Sequence, residues 1–223
     1  MAAFHAALEL GADGIEFDVH ATEDGHLVVV HDYDLSRTTS GSGLVHERDL
    51  QYVQALSAGA WFGEPFAPER VPLLTDVLAL DVPQFELEVK GLPTQRFVSA
   101  IAIAVQGAGV VDRVKFTSFH LLALAQLRTE LPDARFGLFS PNHRPWMSDH
   151  LYEQVVTETA LGGAFDVVHI PSRHLPRVDV KGIQERGLLV QTANPETEEE
   201  LTYAVDCGVD AICTDDPASA IRS

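Results

Sequence analysis

Basic residues are scarce. The 223-residue chain has 15 Lys and Arg against 33 Asp and Glu, a formal charge of −18. A surface so acidic repels phosphate backbones, which excludes DNA and RNA as partners. Long apolar runs are missing as well: none approaches the ~20 residues a membrane-spanning helix requires. The N-terminal stretch MAAFHAALELGADG lacks the basic and apolar regions of a secretory leader. Only two cysteines occur, Cys207 and Cys213, with no metal or redox spacing. That rules out a disulfide scaffold and suits buried thiols in a reducing compartment, hence a cytoplasmic expectation. No G-x-G-x-x-G turn follows a strand, and neither a P-loop nor a G-x-S-x-G elbow is present. Dinucleotide folds, NTPases and nucleophile-elbow hydrolases therefore lack their motifs.

What remains is an ordinary globular composition, 46% hydrophobic and 22% charged, arranged in alternation. A helix over 2–10 stops at Gly11, and the run 13–19 then alternates Ile15, Phe17 and Val19 with Glu16 and Asp18. The next strand, 26–31, follows after only a tight turn, too short for a parallel crossover, so the two form an antiparallel hairpin. With the turn centred on Asp24-Gly25, facing residues sum to 49 and His31 falls opposite Asp18. Helices are expected near 49–56 and 73–80, and a strand over 84–90. Helices over 94–107, 120–129, 150–160, 179–186 and 196–206 then alternate with strands over 113–118, 134–139, 165–170, 188–193 and 209–214. Seven strands linked by helices predict an α/β fold, a (β/α)8 TIM barrel one strand short at its front. The segments read as one domain over 1–223, with an excursion at 33–72 between the hairpin and the next barrel helix.

Two strands put carboxylates at alternate positions: Glu16 and Asp18 in GIEFDV, and Glu86 and Glu88 in FELEVK, followed on the same face by Lys90. On a lone antiparallel strand this would be a wet outer face. In a barrel whose outside is covered by helices, it points inward, toward the end where such enzymes keep their sites. Converging carboxylates repel unless a cation neutralises them, and oxygen-only ligands select Mg²⁺ or Ca²⁺ over zinc. The spacing alone leaves Glu86 and Glu88 as alternatives. His31, delivered beside this cluster, suits a general acid or base. His20 shares the face of Asp18 but lies past the expected strand end, lining the mouth, while His120 and His169 fall at C-terminal strand ends where they could touch substrate. The other histidines sit on helices or loops.

Several segments in order resemble one family. AAFHAALELGADGIEFDVHATEDGHLVVVHD is similar to the E-x-D and H-D opening block of the glycerophosphodiester phosphodiesterases. LSRTTSGSGLVHERDL resembles their R-T-T-x-G-x-G loop, AGAWF their Gly-x-Trp-Phe segment, RVPLLTDVLAL the helix before their third acidic strand, LEVKG their E-x-K, and GVDAICTDDP their closing block. The resemblance covers nearly the whole chain. It implies a (β/α)8 barrel that hydrolyses small-molecule glycerophosphodiesters to glycerol 3-phosphate and an alcohol with one divalent cation. It further implies Glu16, Asp18 and Glu88 as metal ligands, the E-x-K match favouring Glu88 over Glu86, with His31 as one of two catalytic histidines and Lys90 on the phosphate.

Two departures stand out. The chain begins at the helix after the family's H-R-G and P-E-N-T segments, so the second catalytic histidine and a phosphate-gripping arginine are expected upstream of a start placed too far downstream, or lost by truncation. Gln191 stands where the family has the tryptophan of W-T-V-N, which alters one wall of the pocket and hence the alcohol preferred. These departures define an alternative, a truncated barrel that binds phosphodiester or metal with little turnover. A third reading makes the open sheet edge a docking place for another chain. No feature sets an oligomeric state.

Overall fold

The computed structural model describes residues 1–222, in two compact units, Met1–Ala134 and one that begins at Arg135. The first contains α1 (Ala2–Glu9), β1 (Gly14–Ala21), β2 (Leu27–Val29), α2 (Leu50–Ala55), α3 (Leu74–Leu78), β3 (Gln84–Val89), α4 (Gln95–Ala108), β4 (Val114–Thr117) and α5 (Leu121–Glu130). The second contains β5 (Arg135–Phe139), α6 (Asp149–Gly162), β6 (Val167–Pro171), α7 (Val180–Glu185), β7 (Leu189–Ala193), α8 (Glu198–Asp206), β8 (Ala211–Cys213) and α9 (Pro217–Arg222). Every expected element is present within about two residues of its expected ends, apart from the shorter hairpin return. Helix α9 was not foreseen. No helix among the described residues is long and apolar enough to cross a membrane.

In the first unit the strands run in the order β2-β1-β3-β4; β1, β3 and β4 pair in parallel, and β2 is the antiparallel arm of the hairpin. In the second, β5, β6, β7 and β8 pair in parallel in sequence order. The parallel register explains the sequence pattern. Strands covered on both faces carry apolar residues on the helix side, here Phe17, Val19, Phe85, Leu87, Val89 and Phe116, all buried. Helix α4 supplies Phe97, Val98, Ile101 and Val105, a one-sided stripe at helical spacing. Thr94 starts that helix by accepting from the Phe97 amide, and Gly109, at φ 69°, ends it. The excursion has its own cluster, with Leu35, Val45, Val53 and Val71 gathered on Val28 and Val30 of the hairpin. In the second unit two aspartates brace strand starts: Asp166 Oδ2 accepts from Phe136 N and Asp210 Oδ2 from Val190 N, each at 2.8 Å.

The hairpin corrects one expectation. Its register pairs Val19 with Val29 and His20 with Val28, so facing residues sum to 48, not 49. The turn is a three-residue loop, Glu23-Asp24-Gly25, closed between Thr22 and His26, whose backbone bonds Thr22 N to His26 O at 2.9 Å. Gly25 sits at φ +88°, the left-handed residue such a loop needs. An odd loop shifts the pairing by one, so Asp18 faces Val30, whose amide donates to the Asp18 carbonyl at 3.0 Å. Gly25→Ala should lower the unfolding free energy by about 1–2 kcal/mol, the usual cost of that conformation for an L-residue. A denaturant titration reads the loss directly; an unchanged midpoint would contradict this account of the turn.

Candidate active site

The carboxylates of Glu16 and Asp18 on β1 and Glu88 on β3 meet. Each offers an oxygen within 4.8 Å of the others, because the parallel register sets Asp18 beside Glu88 and Glu16 one inward-facing position below. Asp18 Oδ1 and Glu88 Oε1 are buried and, among the described residues, meet no hydrogen bond of proper geometry. Lys90 Nζ lies 3.2 Å from the first and 3.0 Å from the second, as an ion pair. The next position in the same row is Thr117 on β4, whose hydroxyl is likewise buried without a partner. Oxygens left in this state call for a cation, and three carboxylates are the donor set a hard divalent ion takes.

The electrostatics agree. Burial, then the charges of Asp18, Glu86 and Glu88, push the Glu16 carboxyl up to about 9, only partly offset by Lys90. Burial raises Glu88 as well, against the pull of Lys90. Burial works to lower Lys90, but Asp18 and Glu88 outweigh it and hold the ammonium above its usual range. Between pH 4.5 and 9 the folded chain therefore keeps a proton on Glu16 that the unfolded chain has released, so stability falls as pH rises. His20 acts oppositely. Burial drives it down to about 4, so it favours the fold increasingly from pH 4 to 6.5. As pH rises past 6.5 the His20 contribution levels off and the Glu16 slope sets the direction. Melting temperatures of chelator-treated protein should decline from pH 6.5 to 9, and added Mg²⁺ or Ca²⁺ should flatten that decline; a curve that rises over this range would contradict the buried carboxyl.

Glu86 is set apart from the cluster. Lys115 on β4 pairs with it at 2.8 Å, in the register position beside it. His31 does not face Asp18 across the hairpin as expected. The chain leaves β2 after Val29 and bends, and the imidazole reaches the cluster from its rim, with Nε2 3.4 Å from Lys90 Nζ. His20 is not past the end of the strand. It lies within β1, 2% exposed, with Nε2 3.3 Å from the His31 carbonyl and its ring edge-on to Tyr33 at 4.9 Å. His120, at the start of α5, stands 3.4 Å from the Tyr33 hydroxyl, which also donates to the Lys90 carbonyl. His169 and Gln191 belong to the second unit, buried on β6 and β7 as register partners, with His169 edge-on to Phe139.

Three residues of this site escaped the sequence. Tyr33 ties the end of β3 to the hairpin end, and Asp32 meets His31 Nδ1 while Arg37 grips Asp32. The H-D and R-T-T segments that contain the last two were visible, but nothing in their spacing shows that the two side chains meet.

Known proteins give the chain its relatives. The profile of the glycerophosphoryl diester phosphodiesterase family matches residues 1–219. A glycerophosphodiester phosphodiesterase of Caldanaerobacter subterraneus subsp. tengcongensis is 33% identical over the whole chain and 90% of its own length. Among solved structures, an Oleispira antarctica phosphodiesterase in complex with the product sn-glycerol-3-phosphate superposes with a TM-score of 0.84 at 26% identity, over all of this chain and 90% of that one. A glycerophosphodiester phosphodiesterase from Agrobacterium tumefaciens gives 0.83 at 25%, over all of this chain and 92% of its own. The fold class is accordingly the α/β TIM barrel of these enzymes. On the strength of a match that runs through both units, the chain belongs to the glycerophosphoryl diester phosphodiesterase family.

Proposed function

We propose that the chain hydrolyses glycerophosphodiesters to glycerol 3-phosphate and an alcohol, using one divalent cation, Mg²⁺ or Ca²⁺, held by Glu16, Asp18 and Glu88. The observation that carries this reading is the convergence of those three carboxylates within 4.8 Å, with Lys90 and His31 at their edge. Family membership and the product-bound relative support the substrate class.

When bound, the cation supplies positive charge against a non-bridging phosphate oxygen, which lowers the cost of charge built up in the transition state. Lys90 shares that charge in this reading, which is supported by the neighbours that hold its ammonium protonated. His31 Nε2 points at the same region, and Nδ1 is occupied by Asp32 at 2.6 Å. With Nδ1 carrying the hydrogen, Nε2 has a lone pair to take the proton of the attacking hydroxyl, from water or from the substrate's own glycerol. Proton transfer to the departing alcohol is the complementary task. Tyr33 anchors the Lys90 backbone, so the lysine presents from a fixed strand end.

His120, beside the Tyr33 hydroxyl, is proposed as a residue that shapes the alcohol preferred. The test of the function is turnover. Glycerophosphocholine incubated with the protein and Mg²⁺ or Ca²⁺ should release glycerol 3-phosphate and choline, and chelation should stop it. Binding of the ion without release of either product would instead favour a barrel that binds and does not turn over.

A further inference from the structure

His31 is 61% exposed at its side chain, and an imidazole that free would sample both tautomers and several rotamers. It is not free. Nδ1 lies 2.6 Å from Asp32 Oδ1, and the same carboxylate receives Arg37 twice, Nε to Oδ2 at 2.5 Å and an Nη to Oδ1 at 2.9 Å. This is the side-on, two-point grip that sets a carboxylate plane. An ionised carboxylate only accepts, so Nδ1 must carry the hydrogen. On the other side of the ring, Nε2 faces the Lys90 ammonium at 3.4 Å and must offer a lone pair.

The arginine is itself held. Its loop is tied by Leu35 N to the Gly43 carbonyl, by Ser36 N to Asp34 Oδ1, and by buried Thr39, whose hydroxyl donates to the Leu35 carbonyl and accepts from Gly41 N. Exposed ion pairs of this kind contribute only about 0–1 kcal/mol to stability, so folding gives little reason to build one so tightly. Arg37, followed by His31, holds the Asp32 carboxyl well below the usual carboxylate range, which keeps it an acceptor at any working pH.

We propose that Asp32, gripped by Arg37, is a positioning residue that locks His31 in the Nδ1–H tautomer and aims Nε2 at the reacting proton. The inference rests on the reading of His31 as proton carrier, and the test separates the two. Kinetics with glycerophosphocholine are measured for wild type, D32A, D32N, R37M and H31Q, alongside ¹⁵N spectra of histidine-labelled protein. D32A should lower kcat by about tenfold to a hundredfold, the usual cost of losing an orienting partner, with KM nearly unchanged. D32N should fall between D32A and wild type, because an amide oxygen still accepts but without the charge. The His31 ring should show bare Nε2 in wild type and a mixed tautomer in D32A. R37M should move both readouts in the same direction by less. Calcium binding equal to wild type in D32A would establish that the loss is not one of folding. If H31Q is inactive while D32A keeps wild-type kcat and tautomer, Asp32 does not position the ring. If H31Q is itself fully active, the reading of His31 falls and the proposal with it.

Discussion

Glu88→Ala should reduce kcat/KM for glycerophosphocholine by about a thousandfold or more, a barrier increase of ~4 kcal/mol. The reason lies in what the cluster does without it. Glu88 supplies one of the three carboxylate oxygens that meet at the site, and with Asp18 it shares the Lys90 ammonium at 3.0 and 3.2 Å. Take Glu88 away, and Asp18 and Lys90 are left as a closed pair, their charges already balanced. Losing the Glu88 charge eases the ionisation of Glu16, but burial, Asp18 and Glu86 still oppose it. A doubly charged ion loses both a ligand and the excess negative charge that draws it in. Steady-state rates at saturating Mg²⁺ or Ca²⁺ measure the loss, and calorimetry on the same variant should show the ion bound far more weakly. Near wild-type rates would mean that the carboxylates are not the centre of the chemistry.

Lys90→Met should do two opposite things. Lys90 competes for the oxygens offered to the cation, lying within ion-pair distance of two of the three proposed ligand residues. Removing its charge should tighten divalent binding, by roughly tenfold if the relief is about 1.4 kcal/mol. Yet the ammonium is also the group proposed to meet the phosphate, and losing one such stabilising contact costs about 10²–10³ in rate. Tighter ion binding with a slower enzyme is the expected signature, read by calorimetry and kinetics on one preparation. Weaker ion binding in Lys90→Met would show that the lysine supports the carboxylates rather than competing with them.

Much of this site was legible in the chain. Alternation of Ile15, Phe17 and Val19 with Glu16 and Asp18 states which face is apolar, and strand–helix alternation states which way the other face turns. The expected elements sit close to their observed ends because helix caps such as Thr94 and stops such as Gly11 and Gly109 are local signals. The choice between Glu86 and Glu88 was not local. Glu86 is set apart by Lys115, a residue nearly thirty positions later that meets it only once β3 and β4 pair. The hairpin register failed for a similar reason. Two- and three-residue loops read alike around Asp24-Gly25, and the difference moves every cross-strand partner by one. Tyr33, Asp32 and Arg37 act through side chains of an irregular excursion, where no periodicity reports direction. Helix α9 carries a local cue in Asp216 before Pro217, the aspartate accepting from the Ser219 amide and hydroxyl.

The central claim is tested most directly by titrating Ca²⁺ or Mg²⁺ into chelator-stripped protein by calorimetry at pH 7.5, in two buffers of different ionisation enthalpy. One ion per chain should bind, with close to one proton released as Glu16, raised to about 9 when the site holds no ion, gives up its hydrogen, and Glu88→Gln should weaken that binding severely. Binding of the same strength in Glu88→Gln, or no binding at all in the wild type, would contradict a cation held by Glu16, Asp18 and Glu88.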